Sequence, residues 1–300
     1  MTESASFFAH GSRWVRVDVH LHTRRDKEFE DTGSEEDFAK RYISALKQAD
    51  IRVGVITNHN RFERDEFKAL RKAAKREDIY LLPGVELSVN DGRNGIHTLV
   101  IFHEAWIYNR DNIDHINGFL ALSFAGQANY DTRNARSNYD LLGTLRELDR
   151  FGKDYLLIFA HVEENTGLWE ALDGGRIAEL GKNELFRSRA AAFQKVRTRD
   201  KREKVKNWLG GWYPSEVEGS DPKALDEIGR GEKTFIKIGA FTFEAFQFSL
   251  KPEADRLSDS AISQQKHSWI RSVAFQGGIF DGKRLDLSEE MNCLIGIRGS

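Results

Sequence analysis

The sequence contains a single cysteine, Cys293, in 300 residues. One thiol excludes an internal disulfide framework and a zinc finger built on several thiolates, and it is typical of a reducing compartment. The sequence also has no apolar run long enough to span a bilayer, and residues 1–8 lack the basic segment and apolar core of a signal peptide. We therefore expect a soluble, cytoplasmic protein that does not bind membranes.

A strong net charge is absent as well. The formal net charge is −2, so the overall composition predicts neither nucleic-acid nor membrane binding, and only local basic segments could support it. The composition is globular, with 40% hydrophobic and 11% aromatic residues. A chain of 300 residues allows one large domain, or one domain with an appendage.

Apolar strand patterns alternate with helical patterns along the first half of the chain. We predict strands at 13–22, 52–57, 79–82, 97–102 and 155–161, and helices at 38–49, 63–76 and 139–150, the first capped by Ser34. This alternation is typical of an α/β architecture with a largely parallel sheet.

The first predicted strand has a strict period of two. Val15, Val17, Val19 and Leu21 share one face, whereas Arg16, Asp18, His20 and His22 share the other. Residues i and i+2 project from the same side of a strand, so His20 and His22 can converge on one metal ion. The alternative is a pair of surface histidines on an edge strand.

Histidine or glutamate recurs where predicted strands end, which is the rim that carries active sites in β/α barrels. His97 is an exception, because it begins its strand. Imidazoles with carboxylates suit zinc, manganese or iron better than calcium. A glutamate among histidines can bridge two cations roughly 4 Å apart, which together activate water and offset charge on a phosphoryl group. The candidate ligands are His20, His22, His59, Glu86, His97, His161 and Asp221.

Several short strings occur in the order of the motifs of the PHP (polymerase and histidinol phosphatase) family, which the chain resembles over roughly residues 14–250, within a predicted domain at 10–255. They are Asp18–Thr23, Thr57–Asn60, Pro83–Glu86, His97–Leu99, Ala160–His161 and Gly219–Asp221. The resemblance implies a distorted seven-stranded β/α barrel with a multinuclear metal centre and phosphoesterase activity. It also implies that His20, His22, Glu86 and Asp221 hold one metal, and that Glu86, His97 and His161 hold a second.

Two positions depart from the family pattern. Asn58 stands where the family usually has aspartate, and Lys223 stands where it usually has the histidine that helps His59 to hold a third metal. Asp26 or Glu28 could supply the remaining ligand of that third site. A protonated Lys223 could instead take over the electrostatic role of the third cation, or the altered site could be degraded and inactive.

The residues that we expect to act in catalysis are His20, His22, Glu86, His161, Asp221 and Lys223. Asp18 and Asn58 are expected to orient the metal ligands. A basic helical segment at 174–206 offers Arg187, Arg197 and Arg199 as contacts to substrate phosphates. Its alternative interpretation is a solvated helix face.

Residues 226–230, 234–237 and 242–246 resemble the closing segment of a narrower group of PHP domains fused to an ATPase, sometimes called TrlF-like. We predict that residues 262–300 are the first strands of that ATPase, with strands at 267–277, 282–287 and 292–295. Gly296, Gly299 and Ser300 would then lie in the first five positions of a P-loop. ATP would bind only to a longer form of the protein, which we expect to oligomerise through the ATPase. The alternative is a Gly-Ser ending without meaning.

The leading hypothesis is a metal-dependent phosphoesterase with two or three Mn²⁺ or Zn²⁺ ions, iron being a further option. We expect it to be a nuclease that hydrolyses DNA or RNA, normally coupled to the ATPase, in phage defence or nucleic-acid processing. The alternatives are a phosphatase that acts on small phosphate monoesters or nucleotides, and a catalytically silent regulatory or assembly domain.

Overall fold

A nine-stranded sheet forms the centre of the computed structural model, which describes residues 7–132, 134–260, 268–288, 291–293 and 296. Its strands are β1 (Arg13–Leu21), β2 (Ile51–Ile56), β3 (Tyr80–Val89), β4 (Ile96–Phe102), β5 (Tyr155–Phe159), β6 (Ala190–Gln194), β7 (Ser215–Val217), β8 (Thr234–Ile238) and β9 (Leu257–Ser258). The helices are α1 (Phe38–Gln48), α2 (Arg64–Lys75), α3 (His115–Ser123), α4 (Leu141–Asp149), α5 (Leu168–Ala171), α6 (Gly174–Lys182), α7 (Glu184–Arg189), α8 (Arg199–Trp208) and α9 (Phe243–Ser249).

The sheet is strongly curled. Its strand order is β7-β6-β5-β4-β3-β2-β1-β8-β9, so a flat sheet would place β6 five strand spacings from β1, roughly 24 Å away. Instead, Gln194 Oε1 at the end of β6 lies 3.0 Å from His20 Nδ1 on β1. The loop after β7 also reaches β1, because Asp221 N donates to His20 O at 2.9 Å. The predicted α/β class is therefore confirmed, with a curled sheet of nine strands where a seven-stranded barrel was expected.

Strand direction differs from the prediction of a largely parallel sheet. The pairs β1–β2, β2–β3, β5–β6 and β6–β7 are parallel, whereas β4 is antiparallel to both of its neighbours. The connection from Val89 to Ile96 is too short for a parallel crossover, so β3 and β4 form a hairpin. This reversal explains His97. The first residues of β4 lie at the rim where β3 ends, and His97 is paired with Ser88.

The two faces of the sheet pack into separate apolar clusters. Val15, Val17 and Val19 belong to an inner cluster formed mostly by strands, whereas Leu21 belongs to the outer cluster between the sheet and the helices. The predicted common face of these four residues was therefore wrong at Leu21. The pairing of β1 with β2 shifts register between Asp18 and Leu21, and such an irregularity reverses the alternation of side chains.

The predicted helices at 38–49, 63–76 and 139–150 are confirmed, but the predicted cap of the first one is wrong. The segment 174–206, predicted to be helical, also contains the strand β6 (Ala190–Gln194), whose residues pair with β5 and β7. The helix α1 begins at Phe38 after Asp37, and residues 35–37 form a turn in which Ser34 Oγ accepts a hydrogen bond from Glu36 N at 3.2 Å. Ser34 therefore stabilises the preceding turn and not the helix. None of the helices in the described part of the chain is long and apolar enough to cross a membrane.

The residues described after position 260 include a two-stranded hairpin. Strands β10 (Ser272–Ala274) and β11 (Arg284–Asp286) pair antiparallel, as two of the three strands predicted for this region. Apolar side chains remain exposed on this hairpin, with Ile279 88% exposed. The third predicted strand and the predicted P-loop fall largely outside the described residues, so the assignment of 262–300 to an ATPase stays a prediction.

A close approach between β2 and β3 yields a prediction about stability. A Cβ on Gly84 would lie 2.9 Å from Val55 Cγ1 and 3.1 Å from the carbonyl oxygen of Ile56. Because neither a β-branched side chain nor a backbone carbonyl can retract easily, we expect Gly84→Ala to lower the free energy of unfolding by about 1–3 kcal/mol. Urea denaturation measures this change.

The matched control is Gly118→Ala in α3. The nearest atom to a Cβ at this position is 3.9 Å away, and alanine favours a helix over glycine by about 0.5–1 kcal/mol. The control is therefore expected to be as stable as the wild type or more stable. Equal unfolding free energies for Gly84→Ala and the wild type would contradict the close packing of β2 against β3.

Candidate metal centre

The carboxylate of Glu86 on β3 lies at the centre of a group of imidazoles, and this residue is 1% exposed. Its Oε2 atom is 2.8 Å from His20 Nε2, 3.1 Å from His59 Nε2 and 3.4 Å from His22 Nε2. These histidines come from the end of β1 and from the loop after β2. Three imidazole nitrogens from two strands thus converge on one carboxylate oxygen.

The other oxygen of Glu86 faces a second pair of histidines. Oε1 is 2.7 Å from Nδ1 of His97, at the start of β4, and 3.4 Å from Nε2 of His161, after β5. Glu86 therefore has one oxygen directed at each of two histidine groups. That is the arrangement expected of a carboxylate that bridges two cations.

Two aspartates complete the set around His22. Oδ1 of Asp221 lies 2.9 Å from His22 Nε2 and 3.7 Å from His20 Nε2. Oδ2 of Asp26 lies 3.1 Å from His22 Nδ1 and 2.9 Å from His59 Nδ1. The ring of His22 is thus held between two carboxylates, one on each of its nitrogens.

The first predicted ligand set is brought together as a unit. One potential ligand atom from each of its four residues lies within 4.8 Å of the others, the four being His20, His22, Glu86 and Asp221. Of the two candidates for a third site, Asp26 groups with His22 and His59, whereas Glu28 pairs with Lys223 at 3.1 Å. Metal ligation by these groups stays a prediction.

The second predicted set converges only in part, because among the described residues His161 is in none of the groups whose potential ligand atoms lie within 4.8 Å of one another. His97 and His161 share Glu86 Oε1, and their ring centroids are 5.2 Å apart. His59 joins Glu86 and His97 in a group whose potential ligand atoms lie within 4.8 Å of one another. His59 is therefore within reach of two groups, although it was predicted only for a third site.

Left-handed backbone conformations direct several of these loops towards the carboxylate of Glu86. Asn60, His161 and Asp221 have φ angles of 49°, 29° and 51°. Asparagine, aspartate and histidine adopt this region more readily than most residues, and such conformations are concentrated at functional sites. His161 follows a strand whose alternation would turn its side chain outward, so this conformation is what brings it to Glu86.

The electrostatics of the centre are those of a cation site. Burial raises the pKa of Glu86, but the surrounding imidazoles outweigh it and hold the pKa well below its usual range. Burial lowers the pKa of His22, but Asp221 and Asp26 more than offset this and raise it to about 9. His22 thus holds a proton among carboxylates. A divalent cation can replace that positive charge, since metal binding releases protons from its ligands.

A further observation indicates that the residues of the centre fit divalent cations. The Nδ1 atom of His161 is buried and has no hydrogen-bond partner among the described residues. Burying an imidazole nitrogen without a hydrogen-bond partner costs free energy. An interaction at the other nitrogen, such as that with a cation, must therefore offset this cost. The donor set of neutral imidazoles and carboxylates suits zinc, manganese and iron alike, so it does not select among them.

Asp18 and Asn58 support the loops that carry the ligands. Asp18 accepts hydrogen bonds from the backbone nitrogens of His20 and Ser220, both at 3.1 Å, and from Ser220 Oγ at 2.5 Å. It therefore holds the loop of Asp221 against β1 and does not touch an imidazole. Asn58 Oδ1 accepts from Thr23 N at 2.8 Å and so fixes the chain directly after His22.

Gln194 is a supporting residue that the sequence interpretation missed. Its Oε1 atom lies 3.0 Å from His20 Nδ1 and accepts from His161 N at 3.3 Å, while its Nε2 donates to Gly219 O at 3.3 Å. The side chain is fully buried. The available signal was a polar residue at the end of an apolar strand, Ala190–Gln194. An acceptor at Nδ1 favours the tautomer with the proton there, in which the lone pair of Nε2 could bind a cation.

The three arginines that were predicted to contact substrate phosphates have other surroundings in the structure. The guanidinium of Arg197 is bidentate with Glu218 at 2.5 and 2.8 Å, and that of Arg187 lies 5.7 Å from the centroid of the Trp212 ring. Arg199 is the exposed first residue of α8. Their contact with a substrate stays a prediction.

Neither a protein-family model nor a curated protein matches the sequence. Solved structures with a similar fold include the following three. PsfC from Pseudomonas syringae PB-5123 has 16% identity and a TM-score of 0.44, covering 75% of this chain and 82% of that chain. A candidate metal-dependent phosphoesterase from Bifidobacterium adolescentis has 12% identity and a TM-score of 0.48, covering 70% and 88%.

The third structure is an amidohydrolase from Chromobacterium violaceum, solved with bound sulfate and no metal. It has 16% identity and a TM-score of 0.41, covering 71% of this chain and 90% of that chain. At this level of likeness, the neighbours do not fix the reaction of this chain, which depends on its own side chains.

The role of Gln194 can be tested by metal affinity. We expect Gln194→Ala to weaken zinc binding by about 10-fold or more, because residues that orient metal ligands typically contribute 10–100-fold. A chelator competition measures the dissociation constant. Gln48→Ala, at an exposed position at the end of α1, is the control and should bind zinc like the wild type. Unchanged affinity in Gln194→Ala would show that this side chain does not orient His20.

Proposed function

We propose that the protein is a metal-dependent phosphoesterase. The observation that carries this proposal is the convergence of five imidazoles on the buried carboxylate of Glu86, with Asp26 and Asp221 beside them. Divalent cations in these groups would supply Lewis-acid stabilisation of phosphoryl oxygens and would lower the pKa of a water.

The formal charges favour an anionic substrate once cations are bound. With neutral imidazoles, Glu86, Asp26, Asp221 and Glu28 contribute four negative charges and Lys223 one positive charge, a net charge of −3. One divalent cation leaves a net charge of −1, and a second leaves the site with a net charge of +1. A buried site of that charge attracts phosphate and stabilises negative charge that develops during its transfer.

Lys223 is the residue of the chain that we propose to contact the substrate phosphate. Its Nζ atom lies 2.9 Å from Asp221 Oδ1, and its side chain is 35% exposed. Burial lowers the pKa of Lys223, but Asp221 and Glu28 outweigh it and raise the pKa above its usual value. The ammonium is therefore retained at neutral pH at the edge of the centre, where it can hold a phosphate oxygen.

Two substrate classes follow from this site. A phosphodiester in DNA or RNA is the first candidate, and hydrolysis of nucleic acid in phage defence, coupled to an ATPase in a longer form of the protein, is part of that proposal. A small phosphate monoester or nucleotide is the second. The second class is favoured by the pairing of basic residues with acids. Arg197 is neutralised by Glu218, and Lys201 is neutralised by Glu170. Hydrolysis of labelled DNA and RNA, compared with that of a chromogenic phosphate ester, separates the two classes.

Removal of the metal tests the proposed activity directly. We expect the purified protein to contain about two equivalents of metal, to lose hydrolysis after chelation, and to regain it with Mn²⁺ or Zn²⁺. His20→Ala should lose both metal and activity, because it removes a nitrogen 2.8 Å from Glu86. Elemental analysis and hydrolysis assays measure the two properties.

His115→Ala is the control for this variant, since His115 lies in α3 outside the three groups. It should retain metal and activity. Metal-free protein after loading would contradict the proposed centre. Full metal content without hydrolysis of any phosphate ester would instead favour a silent regulatory domain.

Substitution of Lys223 separates substrate binding from metal binding. We expect Lys223→Ala to lower kcat/KM by about 100-fold, as for the loss of one group that stabilises a developing negative charge. The metal content should be retained. Lys47→Ala removes an exposed lysine that pairs with Glu77 on the outer surface and should leave kcat/KM unchanged. Equal kinetics for Lys223→Ala and the wild type would exclude a role of Lys223 in binding phosphate.

A further inference from the structure

Two histidines of the centre, His20 and His59, share a pattern in their two ring nitrogens. His20 directs Nε2 at Glu86 and Nδ1 at Gln194, at 2.8 and 3.0 Å. His59 directs Nε2 at Glu86 and Nδ1 at Asp26, at 3.1 and 2.9 Å. In each case, one nitrogen faces the cation site and the other has an acceptor. That outer contact fixes the tautomer and the orientation of a ligand histidine.

His161 departs from this pattern. Its Nε2 faces Glu86 Oε1 at 3.4 Å, but its Nδ1 is buried without a hydrogen-bond partner among the described residues. A neutral histidine that offers the lone pair of Nε2 carries its proton on Nδ1 and therefore needs an acceptor there. The ring of His161 is 7% exposed, so bulk water does not readily take that role.

Glu164 is placed to supply the missing acceptor. Its Oε2 atom lies 3.9 Å from His161 Nδ1, beyond hydrogen-bond distance, and its side chain is 65% exposed and therefore free to rotate. Its backbone is fixed relative to His161, because Glu164 N donates to His161 O at 2.9 Å and Gly167 N donates to Glu164 O at 2.7 Å. A change of rotamer alone can close the remaining gap.

The turn between these residues leaves little freedom for another arrangement. A Cβ at Gly167 would lie 2.3 Å from His161 O and 2.4 Å from the carbonyl carbon of Val162. Only glycine permits this close approach of the backbone to itself. The tight turn thus fixes the spacing between His161 and Glu164, while leaving the carboxylate mobile.

We propose that Glu164 is the positioning residue of His161. With cations in the centre, its carboxylate would accept a hydrogen bond from His161 Nδ1–H and hold Nε2 towards Glu86 Oε1. This role rests on the metal centre that is part of the proposed function, but not on the identity of the substrate. Glu164 contacts neither a cation nor the substrate.

The test measures zinc affinity and the state of the His161 proton in the full chain. We expect Glu164→Ala to weaken zinc binding at the more weakly held of the sites by about 10-fold. In protein labelled with ¹⁵N-histidine and loaded with zinc, the Nδ1–H signal of His161 should be protected from exchange in the wild type and lost in this variant. Glu164→Gln keeps an acceptor oxygen and should retain part of the protection.

Glu163→Ala is the matched control, because it removes the same charge one residue away. The Glu163 carboxylate accepts from Thr198 N and Oγ1 at 2.9 and 3.0 Å and is engaged there. This control should bind zinc like the wild type. The melting temperature of metal-free Glu164→Ala should equal that of the wild type, since the contact forms only with cations bound.

Three results would overturn the proposal. Equal zinc affinity and an unchanged Nδ1–H signal in Glu164→Ala would exclude the contact, and an equal loss in Glu163→Ala would assign the effect to charge alone. A wild-type protein that binds no zinc would overturn this proposal together with the proposed function. If zinc binds and Glu164→Ala weakens it, but no phosphate ester is hydrolysed, only the proposed reaction fails.

Discussion

The buried carboxylate of Glu86 is the constraint on which the rest of the structure depends. A carboxylate that is 1% exposed is costly unless charges or hydrogen bonds compensate it. Here the compensation comes from five imidazoles that belong to four separate parts of the chain, and these meet only because the sheet curls. The curl of the sheet therefore brings together the imidazoles that compensate the buried charge of Glu86.

Side-chain contacts between the end of β1 and the ends of β6 and β7 stabilise the curl of the sheet. Asp18 binds the backbone of Ser220, and Gln194 bridges His20 and Gly219, so the ends of β1, β6 and β7 are joined by side chains and not by a continuous strand ladder. A Cβ at Gly219 would lie 2.8 Å from the Cβ of His20. The join thus depends on a glycine as well as on buried polar groups, and the same contacts that close the sheet also orient the ligands.

Local patterns predicted the site better than they predicted the sheet. The rim positions of His20, His22 and His161 follow from strand ends, which a single sequence shows directly, whereas Glu86 lies within β3, which runs past the predicted end at residue 82 to Val89. The side of the sheet on which Leu21 packs depends on a shift of register between two strands, which no periodicity within one strand contains. Gln194 belongs to no motif, and its role arises only from the curl. The choice of Asp26 over Glu28 likewise depends on the fold of a loop.

The balance of charge limits how many cations the centre can hold. Asp221 Oδ1 lies 2.9 Å from both His22 Nε2 and Lys223 Nζ, so a cation bound beside His22 shares this oxygen with an ammonium. Two divalent cations already turn the net charge of −3 into +1. A third beside Asp26 and His22 would add repulsion from Lys223 and from both bound cations, and the further carboxylate, Glu28, is already paired with Lys223 at 3.1 Å. The lysine therefore favours a two-cation centre, in which its own ammonium takes the place of the third.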